Sequence, residues 1–530
     1  MDSNGNKTAN SLNARGPAII LVALILLGLA LRAVAIGREP LWADEALTAI
    51  LVRYPWWSFP FTALDPTPPL FYWLEKALVP EGAGPVAWRM LSLVAGTVTI
   101  PLVYWLAREM HSRSSGLMAA GLVAVSAPLI DYSQEARAYA LTVAMIAGSA
   151  AALAALTGGR LAGADQAAAR RRMLALFAMF TALAIFSHFI AMLWVLPALA
   201  VLRLAAHGDR RTLKPREMVL TMAAILPFLA IEIRREFLYR SENNAFTWLT
   251  QLAPLDLLHL LARQWLPFVS SWGWLATGIG AAALCALLWK GRAPLVRWAR
   301  KCPPQALILA ILLLEPLGLW LLGELGVPVA MPRTVLPAVL GFAVLVGIAI
   351  AVLEGTTRKV AAMFAIALSL ASTLMVGTVR PKEAWGAAAE ITRGAPFVLS
   401  CPNWKTPAYL AQARAGGSVL TAAGDHALAV RQPGDRSAWD RLYFERVQRF
   451  GFYRVSDERI SLQPRPIIAK RLLFVASECS DAERAVFAKW AGLQQSKLLW
   501  ASPATGDAAG IRVEDWRLRG DTPLRLWIIR

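Results

Sequence analysis

The chain has 530 residues, of which 57% are hydrophobic and only 17% are charged. Soluble domains carry about 25% charged residues, so this composition predicts an integral membrane protein with a more polar part attached. The formal net charge is +19, but the basic residues lie in short loops between apolar segments. The sequence shows no basic face with interleaved aromatic residues in a soluble part, which argues against nucleic acid as a partner.

The apolar segments predict about 11 transmembrane helices, since a spanning helix needs about 20 mostly apolar residues. The first segment lacks a small-residue cleavage site and is expected to be a retained anchor. The stretch 173–205 is too long for one span and is divided at Ser187 and His188, whereas 255–270 is too polar and is expected at the membrane interface. The predicted spans are 17–36, 86–107, 116–131, 138–157, 173–187, 189–205, 217–233, 271–289, 304–324, 333–353 and 360–378.

Basic residues occupy every second loop between these spans. Because short cytoplasmic loops are enriched in Lys and Arg, the pattern predicts a cytoplasmic N-terminal tail at 1–16. It predicts a membrane domain over 17–379 with a long first outer loop at 37–85, and an extracytoplasmic domain at 380–530. The basic loop residues are Arg108, Arg113, Arg160, Arg170, Arg171, Arg172, Arg203, Arg210, Arg211, Lys214, Arg216, Lys290, Arg292, Arg297, Arg300, Lys301, Arg358 and Lys359.

After residue 380 the apolar runs become short and are separated by polar residues. Residues 397–400, 472–476 and 524–529 are predicted strands, and 407–413 and 481–491 are predicted helices. Alternation of this kind predicts a small α/β domain.

The four cysteines give no CxxC pair of the kind that binds metal through thiolates. Cys401 and Cys479 both lie at the ends of predicted strands on the side expected to be oxidising. They are either joined by a disulfide or free, depending on the compartment. No metal site and no other cofactor is predicted, although a divalent metal is compatible with the sequence.

Two adjacent carboxylates, Asp44 and Glu45, follow the first apolar segment. Charge is costly at a membrane boundary, so an acidic pair there is a candidate functional site. One interpretation is an acidic pair that caps an interfacial helix. The other is a general base with a partner that orients it, because two close carboxylates raise the pKa of one of them.

A proline-rich turn follows, in which Asp65 precedes Pro66, Thr67, Pro68 and Pro69. Proline stiffens the backbone and begins a new element. The turn is either a plain start to an amphipathic interfacial helix or a rigid support that aims Asp65 into the same cavity as the first acidic pair.

The segment 131–140 is expected to open a span as a helix. On that helix Gln134 and Arg137 share one face, and Glu135 and Tyr139 share another with Asp131. Such a segment is either an interfacial girdle with internal ion pairs or a site in which an arginine holds a phosphate and a carboxylate holds that arginine or the substrate.

Two further residues are candidates at the membrane. His188 lies between two apolar half-segments, where a structural role competes with a functional one. Arg333 begins a late span, either as a snorkelling anchor or as a cation for a phosphate leaving group.

Together and in this order, these segments resemble the GT-C superfamily of membrane glycosyltransferases. The resemblance is strongest to the bacterial branch similar to protein O-mannosyltransferases, the lipid A aminoarabinose transferase and the rhizobial lipopolysaccharide glycosyltransferases. Residues 390–530 match only in forming an outer α/β appendage. The matching segments are Trp42–Thr48, Asp65–Tyr72, Tyr132–Tyr139, Ser187–Phe189, Pro332–Arg333 and Lys382–Trp385.

The resemblance implies an inverting glycosyltransferase of a bacterial cytoplasmic (inner) membrane. It would move a monosaccharide from a polyprenyl-phosphate-linked donor to a lipid, lipopolysaccharide or protein acceptor on the outer face. A lipid phosphate is already a good leaving group, so cations that stabilise its charge suffice without a general acid. Membrane lipids, the donor and a glycolipid or protein acceptor are the expected partners.

The resemblance also implies roles for single residues. Asp44 would be the base toward the acceptor hydroxyl, and Glu45 would orient the acceptor or Asp44. Arg137 and Arg333 would bind the donor phosphate, with Glu135 positioning Arg137. Asp65, Tyr139 and His188 are expected to line the substrate site. Thr67 stands where many relatives are expected to have histidine.

Three rival functions differ in what they require. A transporter or flippase predicts intramembrane charges and two related halves, but the predicted spans show no internal repeat and little charge apart from Glu315. A glycan polymerase or ligase would share the topology and use an oligosaccharide donor. A non-catalytic scaffold leaves the acidic first loop unexplained. For residues 390–530 the expectation is acceptor selection.

Overall fold

The structure is a computed structural model that describes residues 4–52, 56, 67–80, 83–158, 167–207, 214–243, 251–265, 273–376, 383–401, 405, 409, 418–423, 426–431, 462–467, 469–477, 479–502, 510–519 and 524–529. These residues form two compact units. The membrane unit comprises Met1–Ile36, Phe59–Leu74 and Arg89–Val379, and the outer unit comprises Gly37–Ser58, Glu75–Trp88 and Arg380–Arg530.

Helices dominate the chain as far as residue 376. They are α1 (Asn4–Ala33), α2 (Ala43–Leu51), α3 (Pro69–Leu78), α4 (Pro85–Met110), α5 (Arg113–Ala124), α6 (Ala127–Asp131), α7 (Tyr139–Thr157), α8 (Ala167–Ser187), α9 (Ala191–His207), α10 (Pro215–Asn243), α11 (Pro254–Trp265), α12 (Gly273–Lys301), α13 (Pro303–Glu324), α14 (Leu336–Ala351) and α15 (Gly355–Val376).

The predicted spans lie largely on these helices. Five of the described helices are long and apolar enough to cross a membrane by themselves, and the bent pair α5 and α6 adds a sixth if it counts as one span. The stretch 173–205 is divided as predicted, since α8 ends at Ser187 and α9 begins at Ala191. The chain is a multi-pass membrane protein, and the number of eleven spans stays a prediction.

Helix α7 forms the centre of the membrane unit. Most of its residues are buried, and its many alanines allow neighbouring helices to approach closely. Ser149 of α7 shares a hydrogen bond of 2.8 Å with Thr181 of α8, and Trp194 of α9 donates to the same Ser149 Oγ over 2.9 Å. Three helices are therefore held together by side-chain hydrogen bonds in the middle of α7.

The outer unit contains a mixed sheet, which confirms the predicted α/β class. The strand order is β4-β8-β3-β2-β1-β5-β7-β6. The strands are β1 (Phe397–Cys401), β2 (Ser418–Ala423), β3 (His426–Arg431), β4 (Leu462–Ile467), β5 (Arg471–Ser477), β6 (Leu493–Ala501), β7 (Ile511–Leu518) and β8 (Leu524–Ile529), with helices α16 (Trp385–Ile391) and α17 (Asp481–Ala491).

The centre of this sheet is buried on both faces. β1 pairs in parallel with β2 and with β5, and almost all residues of β1 and β5 are buried, as expected for parallel strands. Cys401 at the end of β1 forms a disulfide with Cys479, which resolves the alternative left open by the sequence. Of the predicted helix 407–413, only Tyr409 lies within the described residues.

The first loop, 37–85, is divided between the two units, although its sequence predicted that all of it belongs to the membrane domain. Trp42, Ala43 and Ala46 share a hydrophobic core with Trp385 and Tyr409 of the outer unit. Helix α2, which carries the acidic pair, is thus built into the core of the outer unit.

Candidate active site

The helix is interrupted after α5, and the segment Ala127–Gln134 that follows is bent by 61° relative to α5. Pro128 stands at the start of α6, where proline is favoured, and residues Tyr132–Gln134 form a 3₁₀ turn. The segment 131–140 was predicted to be a single helix, and that prediction is wrong, as are the helix faces assigned to Gln134 and Arg137. The break gives residues 135–138 a backbone that no regular helix would provide.

Arg32 holds this break in place. Its guanidinium donates to the carbonyl oxygens of Val123 and Ala124 at the end of α5, both over 3.1 Å, and to Ser133 Oγ over 3.2 Å. The last carbonyls of a helix lack partners within the helix, so a buried cation satisfies them. A Cβ at Gly96 would collide with Ser133 Oγ, so only glycine allows α4 to pack against this turn.

Arg137 lies directly after the break and is buried. Its Nη2 donates to Thr67 Oγ1 over 3.2 Å, and its Nη1 donates to Tyr72 Oη over 3.3 Å. Ser92 Oγ donates to the Arg137 carbonyl over 3.1 Å. The guanidinium is therefore aimed by hydroxyl groups of the proline-rich turn and of α3.

A second guanidinium approaches the same turn from α10. Arg235 Nη2 donates to the Thr67 carbonyl over 3.2 Å, and Arg235 Nη1 lies 3.0 Å from Glu232 Oε2. Both side chains of this pair are buried. Thr67 is thus bonded through its side chain to Arg137 and through its backbone to Arg235. The pair Glu232 and Arg235 was not predicted, because Glu232 lies at the end of an apolar run interpreted as a span.

Three predicted site residues form one aromatic and cationic group. The rings of Tyr139 and His188 lie 5.3 Å apart, and the Arg333 guanidinium lies 5.8 Å from the Tyr139 ring centre, within the range of a cation–π contact. The Ile190 amide donates to His188 Nδ1 over 3.3 Å, so the neutral ring carries its proton on Nε2. Arg333 Nε also contacts Met331 Sδ at 2.8 Å.

The acidic pair begins α2 in the outer unit. Glu45 is fully buried, and its Oε2 accepts a hydrogen bond of 3.2 Å from the Trp42 amide, which is the reach of a capping glutamate to the residue before a helix. Asp44, one residue earlier, remains partly exposed. The two carboxylates therefore differ: Glu45 is buried and bonded to the start of the helix, whereas Asp44 is only partly buried.

Glu75 of α3 is a further buried carboxyl group of the outer unit, and it was not predicted. Its side chain is fully buried, and neither carboxyl oxygen has a hydrogen-bond partner. Burial, reinforced by the negative charge of Glu45, raises the pKa of Glu75 to about 9. Glu75 is therefore protonated at neutral pH.

The other predicted residues are accounted for as follows. Glu135 is buried two residues before Arg137, and Asp65 lies outside the described residues.

Among the described residues, one group has the geometry of a metal site, formed by Cys401, Cys479 and Glu483. Since its two cysteines are joined in a disulfide, it cannot offer thiolates.

A family profile and several solved structures are similar to this chain. The profile of the dolichyl-phosphate-mannose-protein mannosyltransferase family matches residues 47–233. ArnT from Cupriavidus metallidurans in the apo state aligns at a TM-score of 0.52 and 12% identity, over 94% of this chain and 98% of that chain. The same protein bound to undecaprenyl phosphate aligns at 0.51 and 14% identity, over 93% and 97%.

The oligosaccharyltransferase of Archaeoglobus fulgidus in the apo form aligns at a TM-score of 0.48 and 12% identity, over 75% of this chain and 64% of that chain. Among the curated proteins, none matches the sequence. The chain has the fold of the GT-C membrane glycosyltransferases, as its motifs indicated. The alignment with ArnT covers nearly all of both chains and therefore includes the outer domain.

Proposed function

We propose that this protein is an inverting glycosyltransferase that moves one monosaccharide from a polyprenyl-phosphate donor to a lipid, lipopolysaccharide or protein acceptor. The observation that carries the proposal is the buried Arg137 guanidinium, which is positioned by hydrogen bonds to Thr67 Oγ1 and Tyr72 Oη. A guanidinium binds phosphate oxygens through charge-assisted hydrogen bonds, and the family resemblance assigns this arginine to the donor phosphate. ArnT, which shares the fold, has been crystallised with undecaprenyl phosphate.

In the proposed reaction the acceptor hydroxyl attacks the anomeric carbon while Asp44 takes the hydroxyl proton. The bond between the anomeric carbon and the phosphate oxygen breaks, and the polyprenyl phosphate leaves with the electron pair. Inversion follows from a single displacement. Arg137 stabilises the negative charge that develops on the leaving phosphate, which is the largest contribution expected of the protein.

The remaining predicted residues have supporting roles. Arg333, Tyr139 and His188 form one contact group, which suits a sugar ring because an aromatic face can pack against it while polar groups bond to its hydroxyls. Glu135 is proposed to position Arg137 through the tight backbone turn in which the Arg137 amide donates to the Glu135 carbonyl over 2.8 Å. Asp65 is proposed to face the same substrate site.

The proposed location is a bacterial cytoplasmic membrane, with the N-terminus in the cytoplasm and the sheet domain outside. The basic loops support this orientation. The disulfide between Cys401 and Cys479 supports it independently, because disulfides persist in oxidising compartments.

The test compares glycolipid and glycoprotein masses in cells that lack the gene and are complemented with wild type or with Asp44→Asn. A product lighter by one sugar in both the null and the Asp44→Asn strain, at equal protein levels, is the expected result and identifies sugar and acceptor together. Asp481→Asn, an exposed aspartate of the outer unit, is the matched control and should restore the wild-type profile. Full restoration by Asp44→Asn would refute Asp44 as the base.

A further inference from the structure

We propose that Glu383 is a positioning residue for Asp44: this buried carboxylate of the outer unit fixes the first turn of α2 and thereby aims the base. The inference rests on the proposed function, since it concerns the residue assigned there as the base. It gives the outer unit a part in catalysis that differs from acceptor selection.

The contact that carries the inference is direct. Glu383 Oε2 accepts a hydrogen bond of 3.0 Å from the amide of Ala43, the first residue of α2 and the neighbour of Asp44. The same oxygen accepts from Trp385 Nε1 over 2.6 Å. The other carboxylate oxygen is paired with Lys405 Nζ, which also lies 3.2 Å from Ser477 Oγ at the end of β5.

Glu383, Lys405 and Trp385 form a buried hydrogen-bonded group rather than a surface ion pair. Glu383 is 3% exposed, Lys405 is 2% exposed and Trp385 is fully buried. Removing two charges from water costs several kcal/mol per ion before their mutual attraction is counted, so fully hydrogen-bonded geometry is required to retain them. Here each carboxylate oxygen is bonded, and the ammonium group has a second partner.

Helix α2 needs such support because it has only nine residues. Helices of this length are unstable in isolation, and their first amides lack partners within the helix. Glu45 accepts a hydrogen bond from the Trp42 amide, and Glu383 accepts one from the Ala43 amide. Both negative charges also lie at the positive end of the helix dipole.

The consequence for Asp44 is geometric. A base acts only within hydrogen-bond reach of the proton that it removes, and a displacement of about 1 Å can lower the rate about a hundredfold. Residues 43 and 45 on either side of Asp44 are buried, and the Ala43 amide is bonded to Glu383 within the outer unit. The backbone of Asp44 is therefore fixed through its neighbour Ala43, which is bonded to a carboxylate 340 positions further along the sequence.

The test uses the full-length protein with a polyprenyl-phosphate-linked sugar and the acceptor identified above. Glu383→Gln is isosteric, but its amide group must direct N–H donors either at Lys405 or at the Ala43 amide and the Trp385 indole N–H. We expect kcat to fall about tenfold to a hundredfold while KM for the donor changes less than twofold. Adding Lys405→Met removes the conflict, because the remaining oxygen can turn to Ala43, and should recover most of the lost kcat.

Glu390→Gln is the matched control on helix α16. Its carboxylate forms an exposed ion pair with Arg393, which contributes little to stability, and kcat should stay at the wild-type value. Protein that has retained the disulfide between Cys401 and Cys479, verified by alkylation under non-reducing conditions, shows that the outer unit is folded in each variant.

A second readout is independent of activity. Amide hydrogen exchange of the peptide covering residues 41–52 should become faster in Glu383→Gln and return toward the wild-type rate in the double variant, with exchange in α7 unchanged. A wild-type kcat in folded Glu383→Gln, or a raised acceptor KM at constant kcat, overturns the inference. If wild type transfers no sugar, the proposed function fails, while the exchange result still decides whether Glu383 fixes α2.

Discussion

Arg137 and Thr67 are bonded side chain to side chain, with Arg137 Nη2 3.2 Å from Thr67 Oγ1, although they lie 70 residues apart. Thr67 stands between two prolines in the sequence, so its backbone is stiff. The bond therefore fixes the guanidinium against a rigid element. Thr67 occupies a position where histidine is expected in related enzymes, and its hydroxyl here supplies an acceptor for the arginine.

Thr67→Val should weaken donor use, because valine has the shape of threonine and no acceptor for Arg137. The loss of such a bond to a buried charged group costs about 1 to 2 kcal/mol, which is about fivefold to thirtyfold in kcat/KM. Steady-state transfer kinetics at varied donor concentration measure this effect. Thr67→Ser should recover most of the activity. Thr97→Val on α4, where the hydroxyl bonds only within its own helix at Leu93, is the control and should leave kcat/KM unchanged.

Replacing Arg235 alone by methionine should destabilise the membrane unit by about 3 to 5 kcal/mol, since Glu232 then keeps a buried charge without its cation. Replacing both residues, with Glu232→Leu added, should lose much less, because no charge remains buried. The apparent melting temperature in detergent and a double-mutant cycle measure this coupling. If the single variant melts no lower than the double variant, the pair is not the buried ion pair described here.

Elements with local signals were predictable. Helix α17 is capped by Ser480, whose side chain and amide form a reciprocal capping box with those of Glu483. The spacing of these two residues is visible in the sequence. The helix ends at Gly492, which has a φ of +66°, a conformation that favours glycine. The division of 173–205 at Ser187 was likewise indicated, because its length exceeds one span and its polar residues lie in the middle.

The features that the sequence did not predict depend on contacts between residues far apart in the chain. The break after α5 depends on Arg32, which lies 91 positions before its partner Val123. No local sequence pattern connects two residues at that distance. The bond from Ala43 to Glu383 spans 340 positions. Helical periodicity over 131–140 gave the wrong local structure, since Pro128 and the buried guanidinium of Arg32 outweighed the intrinsic preference for helix.

Removing the disulfide by the double substitution Cys401→Ser and Cys479→Ser should destabilise the outer unit by about 2 to 4 kcal/mol, because the link closes a loop over a separation of 78 residues in the unfolded chain. The expected observation is faster proteolysis of residues 390–530 at 37 °C, with the membrane unit still intact. The control is Cys285→Ser, which removes a free, exposed thiol. Equal proteolysis of all three proteins would contradict this prediction.

The stability of the outer unit should fall as the pH rises above about 5, because of Glu75. Its pKa is raised from 4.5 to about 9 by burial and by the charge of Glu45. Between these two values the folded state holds a proton that the unfolded state has released. The free energy of unfolding therefore decreases with pH in this window, by at most about 1.4 kcal/mol per pH unit, and levels off above the folded pKa.

Glu75→Gln removes this proton linkage while preserving the shape of the side chain. The variant should therefore be at least as stable as wild type at pH 8, and its apparent melting temperature should fall less between pH 6 and pH 9. Glu390→Gln, which changes an exposed carboxylate in the same unit, should retain the wild-type slope. Parallel melting curves for wild type and Glu75→Gln over this range would show that Glu75 is ionised in the folded protein. In that case Glu45 would share its buried surroundings with a second negative charge, a costly arrangement for two carboxylates without added cations.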